Sequence, residues 1–189
     1  MARRRLTGVL LVGGASERFG SPKALARVGS ETLAGRAWQI LEEACDERLA
    51  FGKRGELVLP FEVHDDGTDV RAPLAGVAAG LRAASNDVAV FLPVDCPRVT
   101  PEVVRALGDA CLDAAVTPEG PLPGAWARSA LPVLERRLRE RRLALVDAYQ
   151  ELDVAFVEID AALVADADTP DELARLIARA GSGRRGSFR

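Results

Sequence analysis

Residues 6–23 read LTGVLLVGGASERFGSPK, a short apolar run that continues into a glycine-rich loop. The run at 6–12 has little polar interruption, which predicts a β-strand buried on both faces. The loop after it contains three glycines and ends in a lysine. A first strand that leads into such a loop is typical of α/β proteins that bind a ligand beyond the end of the strand.

Short apolar runs and helical stripes alternate along the rest of the chain. Helices are predicted where apolar residues recur every three or four positions, and a capping box at 169–172 opens the last helix. Thr100 caps another helix, with Pro101 at its first position. The remaining predicted strands cover 48–51, 57–63, 88–92, 114–116 and 154–159, and the remaining predicted helices cover 31–44, 73–84, 131–138 and 143–149.

Strands that alternate with helices predict βαβ units with helices on both faces of the sheet. The expected fold is α/β: a single-domain, three-layer α/β/α sandwich around a mostly parallel, Rossmann-like sheet. We predict one domain over residues 1–180 and a disordered tail over 181–189. In such sheets ligands bind beyond the carboxyl ends of the strands, so the residues that follow each apolar run carry the functional information.

Composition excludes several classes of function. The 189 residues carry a formal net charge of −3, which argues against duplex nucleic acid as the main partner. No apolar run approaches the roughly 18 residues of a membrane span, so no membrane partner is expected. The three cysteines are scattered, without a CxxC pair, as in reduced proteins, and this predicts a cytoplasmic location.

The loop after the first strand has the composition that a triphosphate requires. Gly13 and Gly14 allow the backbone N–H groups to approach phosphate oxygens, and Ser16 adds a hydroxyl donor. Arg18 and Lys23 add two cations, one a bidentate fork and one a point charge. The loop is not a P-loop, because no Gly-Lys-Ser/Thr follows. A plain glycine turn with solvated Arg and Lys side chains is the alternative.

Leu11 to Lys23 fits the pattern LxGGxSxRxGxxK without a gap, and the chain therefore resembles the MobA-like nucleotidyltransferases, in particular their molybdenum cofactor guanylyltransferase branch. The resemblance implies the nucleotide-diphospho-sugar transferase type of fold. It also implies transfer of GMP from Mg-GTP to the terminal phosphate of molybdopterin, with release of pyrophosphate. The expected partners are GTP, or another nucleoside triphosphate, and molybdopterin, and the expected cofactor is Mg²⁺. Transient contact with other molybdenum-cofactor proteins stays open. Val12 departs from the family, which usually has Ala there.

Acidic residues follow two of the predicted elements. Asp95 lies in Pro-Val-Asp-Cys-Pro, just past the strand at 88–92, and resembles the family aspartate that binds Mg²⁺. A carboxylate oxygen is the hard ligand that Mg²⁺ prefers. Asp166 and Asp168 lie in Asp-Ala-Asp-Thr-Pro before the last helix, where related enzymes place a second metal ligand. Either residue is a candidate ligand, and Asp168 could instead help to cap the helix.

A further matching element, Arg-Ala-Pro-Leu-Ala-Gly, ends at Gly76 and follows Asp65. Asp65 resembles the nucleotide-site aspartate of the family, although Asp66 beside it leaves the register open, and Gly76 is expected to let the base or ribose lie close. The resemblance implies catalytic roles for Arg18, Lys23 and Asp95. The implied nucleotide-binding set is Leu11, Val12, Gly13, Gly14, Ser16, Arg18, Lys23, Asp65, Gly76 and Asp95.

Several residues keep two interpretations. Trp126 is either a core residue or a platform for the pterin, and the basic run at 136–142 is either a solvated helix face or a contact for an anion or a partner. Cys96 is interpreted as a packed thiol. At 51–54 Phe-Gly-Lys-Arg replaces the Asn-Arg pair common among the guanine readers of the family. A molybdopterin cytidylyltransferase, a transferase with another small phosphate acceptor, and an inactive nucleotide-binding module are therefore alternatives.

Overall fold

The computed structural model describes residues 3–13, 19, 22–53 and 58–182. Within these residues the strands are β1 (Thr7–Leu11), β2 (Arg27–Val28), β3 (Glu31–Thr32), β4 (Glu47–Gly52), β5 (His64–Asp65), β6 (Val88–Pro93), β7 (Ala114–Thr117), β8 (Gly120–Ala127) and β9 (Val154–Phe156). The α-helices are α1 (Leu33–Ala44), α2 (Pro73–Ala83), α3 (Pro101–Ala110), α4 (Leu131–Arg139), α5 (Ala161–Val164) and α6 (Pro170–Ser182). No helix in these ranges is both long and apolar enough to cross a bilayer.

Seven of the strands form one sheet in the order β5-β4-β1-β6-β8-β7-β9, while β2 and β3 pair as a small hairpin. All strands of the large sheet run parallel except β8, which is antiparallel to both β6 and β7. From β1 the chain passes through α1 to β4 on one side, and later through α2 to β6 on the other. The carboxyl end of β1 is therefore a topological switch point, the position where α/β sheets bind ligands.

Alternate side chains of the central strands divide the core into two layers. Leu10 and Leu92 pack on one face of the sheet against α1, α3 and α6. Val9 and Phe91 pack on the other face against α2 and α4. Because both faces are covered, the strands carry continuous apolar runs. The predicted three-layer α/β/α sandwich is confirmed.

Strand β8 is missing from the sequence-based prediction, which placed a strand only at 114–116 in this region. Two prolines and two glycines in β8 argue against a strand, since proline cannot donate to the hydrogen-bond ladder. The prolines lie in the first half of β8, whereas Gly124 to Ala127 form the ladder with β6. Gly124 is required there, because a Cβ atom at this position would collide with the carbonyl of Pro121.

Three predicted elements need correction. Residues 58–63 of the strand expected at 57–63 form no strand, and the short β5 follows them instead; residue 57 lies outside the described part of the chain. The helix expected at 143–149 is a 3-10 helix, Leu145–Glu151. The last helix continues to Ser182, two residues into the segment predicted as a tail, and residues 183–189 lie outside the described ranges.

The interpretation of the basic run as a solvated face is wrong for one of its members. Arg137 is fully buried, and its guanidinium pairs with Glu151 at 2.8 Å and with Asp147 at 3.3 Å. The hydrogen bond that Arg137 donates makes the largest contribution to the lowered pKa of Glu151. Trp126 is also fully buried, in the core layer beneath α2 and α4, which excludes the platform interpretation.

Glu47 joins β1, β4 and the chain after α2. Its carboxylate accepts hydrogen bonds from the Thr7 hydroxyl at 2.6 Å, the Ser85 N–H at 2.8 Å and the Ser85 hydroxyl at 2.7 Å. Burial by itself would raise the pKa of Glu47, but these hydrogen bonds outweigh burial and lower it. The ionised carboxylate therefore stabilises the fold.

Glu47→Gln is expected to lower the free energy of unfolding at pH 7 by about 1–2 kcal/mol, because the amide cannot accept all three hydrogen bonds. The folded-state pKa lies below the unfolded value, so the contribution is complete above about pH 4.3 and disappears as the pH falls through the folded pKa. Urea unfolding at pH 7 and pH 3 measures both effects. Glu43→Gln, an exposed change on α1, is the control. A wild-type advantage that persists undiminished at pH 3 would contradict the assignment.

Candidate active site

A cleft of about 410 Å³ opens at the carboxyl ends of β4, β1 and β6. The segments that follow these three strands form its floor, at the switch point of the sheet. The chain before α2 forms one wall, and Leu122 of β8 reaches the rim. Six of the sequence-predicted nucleotide residues line the cleft: Leu11, Val12, Gly13, Lys23, Gly76 and Asp95.

Three carboxylates meet beside β6. Each of Asp95, Asp166 and Asp168 offers an oxygen atom, and the three atoms lie within 4.8 Å of one another. Asp95 follows β6, whereas the other two precede α6. A backbone hydrogen bond joins the two segments, from the Ala167 N–H to the Asp95 carbonyl at 2.9 Å. Both candidates for the second metal ligand, Asp166 and Asp168, thus lie close to the carboxylate of Asp95.

The side chains of Thr169 and Glu172 cap α6. The Thr169 hydroxyl accepts from the Glu172 N–H at 3.2 Å, and the Glu172 carboxylate accepts from the N–H groups of Asp168 at 2.8 Å and Thr169 at 3.0 Å. The predicted capping box is confirmed. The carboxylate of Asp168 accepts from Lys23.

Lys23 binds two of the three carboxylates. Its Nζ donates to Asp95 Oδ2 and to Asp168 Oδ1, both at 2.9 Å, and its side chain is only 12% exposed. Burial lowers the pKa of Lys23, but the hydrogen bonds to Asp168 and Asp95 and their negative charges outweigh burial, and the pKa is raised. Lys23 therefore remains a cation at the point where the loop after β1 meets the acidic cluster.

The centre of the predicted phosphate loop lies outside the described residues. Gly14, Ser16 and Arg18 belong to this part, so their contacts stay predictions. The flanks of the loop are described: Gly13 lines the cleft, and the Phe19 side chain is buried in the core layer of α1. The loop thus leaves β1 at the cleft and is anchored again at Phe19.

Gly76 lies at the cleft, as its expected closeness to the base or ribose requires, and its missing side chain also affects packing within the protein. A Cβ atom at Gly76 would lie 2.8 Å from Leu11 Cδ2, so the missing side chain allows α2 to pack closely on β1. Gly52 has a similar role beside Val12, because a Cβ atom at Gly52 would lie 2.8 Å from Val12 Cγ2. These positions shape the floor of the cleft through packing between the protein's own elements.

Asp66, rather than Asp65, stands on the cleft wall. Asp65 is exposed and accepts from the Gly67 N–H at 2.7 Å, within its own turn. Asp66 is 8% exposed, lines the cleft and binds the ammonium of Lys53. Sequence reasoning did not select Lys53, although the replaced Asn-Arg pair drew attention to its segment.

Cys96 next to the acidic cluster is a packed thiol, as predicted. Burial, followed by the charges of Asp95 and Asp166, raises the pKa of Cys96 well above its ordinary value. A protonated thiol is a poor nucleophile. Among the described residues that line the cleft there is no histidine, and no member of the basic run at 136–142.

Comparison with known proteins decides the family. The MobA-like NTP transferase domain matches residues 8–155. A probable molybdenum cofactor guanylyltransferase from Deinococcus radiodurans is 35% identical over 185 residues, covering 92% of this chain and 95% of that protein. This chain belongs to the MobA-like NTP transferase family. The predicted enzyme class, a nucleotidyltransferase of the molybdenum cofactor guanylyltransferase type, is confirmed.

Solved structures share the fold of this MobA-like NTP transferase. Molybdopterin-guanine dinucleotide biosynthesis protein A from Archaeoglobus fulgidus superposes with a TM-score of 0.77 at 22% identity, covering 93% of this chain and 99% of that one. A Mycobacterium tuberculosis protein solved in complex with manganese superposes with a TM-score of 0.66 at 22% identity, covering 92% and 98%. The family's single α/β domain is therefore present.

Lys23→Met is expected to increase the affinity for Mn²⁺ in the absence of nucleotide by about tenfold or more. The Lys23 ammonium bonds to two of the three clustered carboxylates and competes there with any added cation. Electron paramagnetic resonance of free Mn²⁺ measures the affinity.

Arg98→Met is the matched control, because it removes one positive charge from the turn after Asp95 without removing a described contact to the cluster. Equal affinities in the wild type and Lys23→Met, or an equal gain in Arg98→Met, would show that direct competition at the carboxylates is absent.

Proposed function

We propose that this protein transfers a nucleoside monophosphate, GMP from GTP, to the terminal phosphate of molybdopterin and releases pyrophosphate. The observation that carries the proposal is the meeting of Lys23 with Asp95 and Asp168 in a cleft at the switch point of the sheet. The relatives that carry the name molybdenum cofactor guanylyltransferase support the choice of donor and acceptor.

The acidic cluster fits a magnesium ion. Three carboxylate oxygens within 4.8 Å of one another are hard ligands of the kind that Mg²⁺ uses when it binds protein and phosphate together. Asp95, Asp166 and Asp168 would hold the ion. When bound, Mg²⁺ would supply positive charge to the reacting phosphate and the leaving pyrophosphate. The manganese complex of the Mycobacterium tuberculosis protein supports a divalent cation in this fold.

The residues of the cleft suit a reaction that needs charge compensation more than a strong base. The second pKa of a phosphate monoester is about 6, so the acceptor is largely deprotonated at neutral pH. The difficulty is to bring two polyanions together in line. Lys23 remains positively charged in the cleft and would offset that repulsion, and the N–H groups near Gly13 would add donors.

The proposed specificity for guanine depends on the wall beside β4. Lys53 occupies the segment where the family's Asn-Arg pair is replaced, and its ammonium binds Asp66 and the backbone of the wall. A side chain engaged in this way does not by itself select guanine. CTP is therefore the second candidate donor, and it corresponds to the cytidylyltransferase alternative.

Thermal unfolding with GTP, CTP, ATP or UTP, each with Mg²⁺, tests the donor. A ligand that binds only the native state raises the apparent stability in proportion to the logarithm of its concentration over Kd. GTP is expected to give the largest rise in Tm. A larger rise with CTP would replace GMP by CMP in the proposal, and the absence of a shift with every triphosphate would overturn it.

Lys23→Ala and Asp95→Ala are each expected to lower the transfer rate about 10²–10³-fold, the range found when one charge-stabilising group is removed from an active site. Pyrophosphate release with molybdopterin as acceptor measures the rate, and circular dichroism verifies that each variant is folded. Glu43→Gln on the exposed surface of α1 is the control and should retain the wild-type rate. Near-normal turnover in either alanine variant would remove that residue from the site.

A further inference from the structure

A second lysine lies in the cleft, on the β4 side of β1, whereas Asp95 follows β6 on the other side. Lys53 Nζ donates to both oxygens of Asp66, at 2.6 and 2.8 Å, and to the carbonyls of Thr68 and Val70, at 2.7 and 2.9 Å. The two side chains are 16% and 9% exposed. An ammonium has three N–H donors, and these contacts to protein oxygens occupy the hydrogen-bonding capacity of Lys53.

The contacts of Lys53 hold the segment at 66–70, which enters the cleft wall. This segment follows β5, a strand of only two residues, and therefore gains little support from the sheet. Inside the segment the Thr68 N–H donates to Asp66 Oδ1 at 3.2 Å, and the Val70 N–H donates to the Thr68 hydroxyl at 3.2 Å. The next residues, 71–73, also line the cleft and lead into α2. One ammonium thus binds the oxygens of three residues of this wall.

The chemistry of this wall differs from that beside β6. Asp66 and the carbonyls of Thr68 and Val70 are hydrogen-bond acceptors, and a triphosphate also presents acceptors only. Ribose hydroxyls and the N–H groups of a base are donors, which suit such a wall. The acidic cluster and Lys23 instead fit the phosphates and their cation. The oxygens of Asp66, Thr68 and Val70 therefore suit the donors of a nucleoside, and the cation of Arg71 lies in the same wall.

We propose that Lys53 is a positioning residue for the nucleoside half of the donor nucleotide. It holds Asp66 and the carbonyls of Thr68 and Val70, so that the wall formed by 66–73 is in place when the base and ribose arrive. Lys53 affects nucleotide binding through the position of this wall, whereas Lys23 contacts the phosphates. The inference rests on the proposed function, because it assumes a nucleoside triphosphate in the cleft.

The test compares the binding of Mg-GTP and Mg-tripolyphosphate by isothermal titration calorimetry. Tripolyphosphate has the phosphates without the nucleoside. In Lys53→Met the affinity for GTP is expected to fall at least tenfold, while the affinity for tripolyphosphate changes less than twofold. In steady-state transfer KM for GTP rises and kcat at saturation stays within a few-fold of the wild-type value, a split that loss of folded protein would not produce.

A double variant distinguishes a loss of GTP binding from a failure to fold. Lys53→Met alone leaves the Asp66 carboxylate buried without its cation, which destabilises proteins. Lys53→Met with Asp66→Asn removes both charges, yet still releases the carbonyls of Thr68 and Val70, and should show the same selective loss of GTP. Lys53→Arg retains a cation with several N–H donors and should recover part of the GTP affinity.

Lys23→Met is the matched control on the phosphate side and should weaken GTP and tripolyphosphate alike. Equal losses of both ligands in the Lys53 variants, or no loss of GTP, would overturn the role of Lys53 while leaving the proposed function intact. A wild-type protein that binds GTP no better than tripolyphosphate would also overturn this inference. A wild-type protein that binds neither would contradict the proposed function itself.

Discussion

The ammonium of Lys23 between Asp95 and Asp168 is the interaction on which the organisation of the site depends. Like charges within a few ångströms of one another are unfavourable unless a cation compensates them. Lys23 supplies this compensation from the loop after β1, and the Ala167 N–H fixes the segment before α6 to the turn after β6. A single ion-paired group therefore connects three parts of the chain that are distant in sequence.

The cleft has two unlike sides because β1 lies between β4 and β6 in the sheet. On the β6 side, carboxylates and a lysine suit a cation and phosphates. On the β4 side, another lysine is surrounded by oxygens of the protein itself. Lys23 contacts two carboxylates of the acidic cluster, whereas Lys53 contacts one carboxylate and two backbone carbonyls. The partners distinguish the two lysines, because their side chains are similarly buried, at 12% and 16% exposed.

Sequence patterns predicted the central strands, since β1 and β6 are continuous apolar runs, and they predicted that the residues after these strands meet at one edge of the sheet. They failed where tertiary contacts decide. The prolines of β8 hide a strand that pairs with β6 only through its second half. Arg137 is on a helix with many charges, but it is buried and pairs with Asp147 and Glu151. Spacing alone could not show that Asp66 lines the cleft, because its contact with Lys53 joins residues that are apart in sequence.

The direction of β8 has a consequence for how this architecture tolerates change. A strand that runs against its neighbours brings its beginning, rather than its end, to the edge where the others finish, and so Leu122 reaches the rim of the cleft. The two-residue turn at 118–119 precedes it. Surface turns accept extra residues at small entropic expense. Lengthening this turn would change the rim of the cleft without changing the registers of β4, β1 and β6. Related chains can therefore differ in substrate at this turn while they keep the same central sheet.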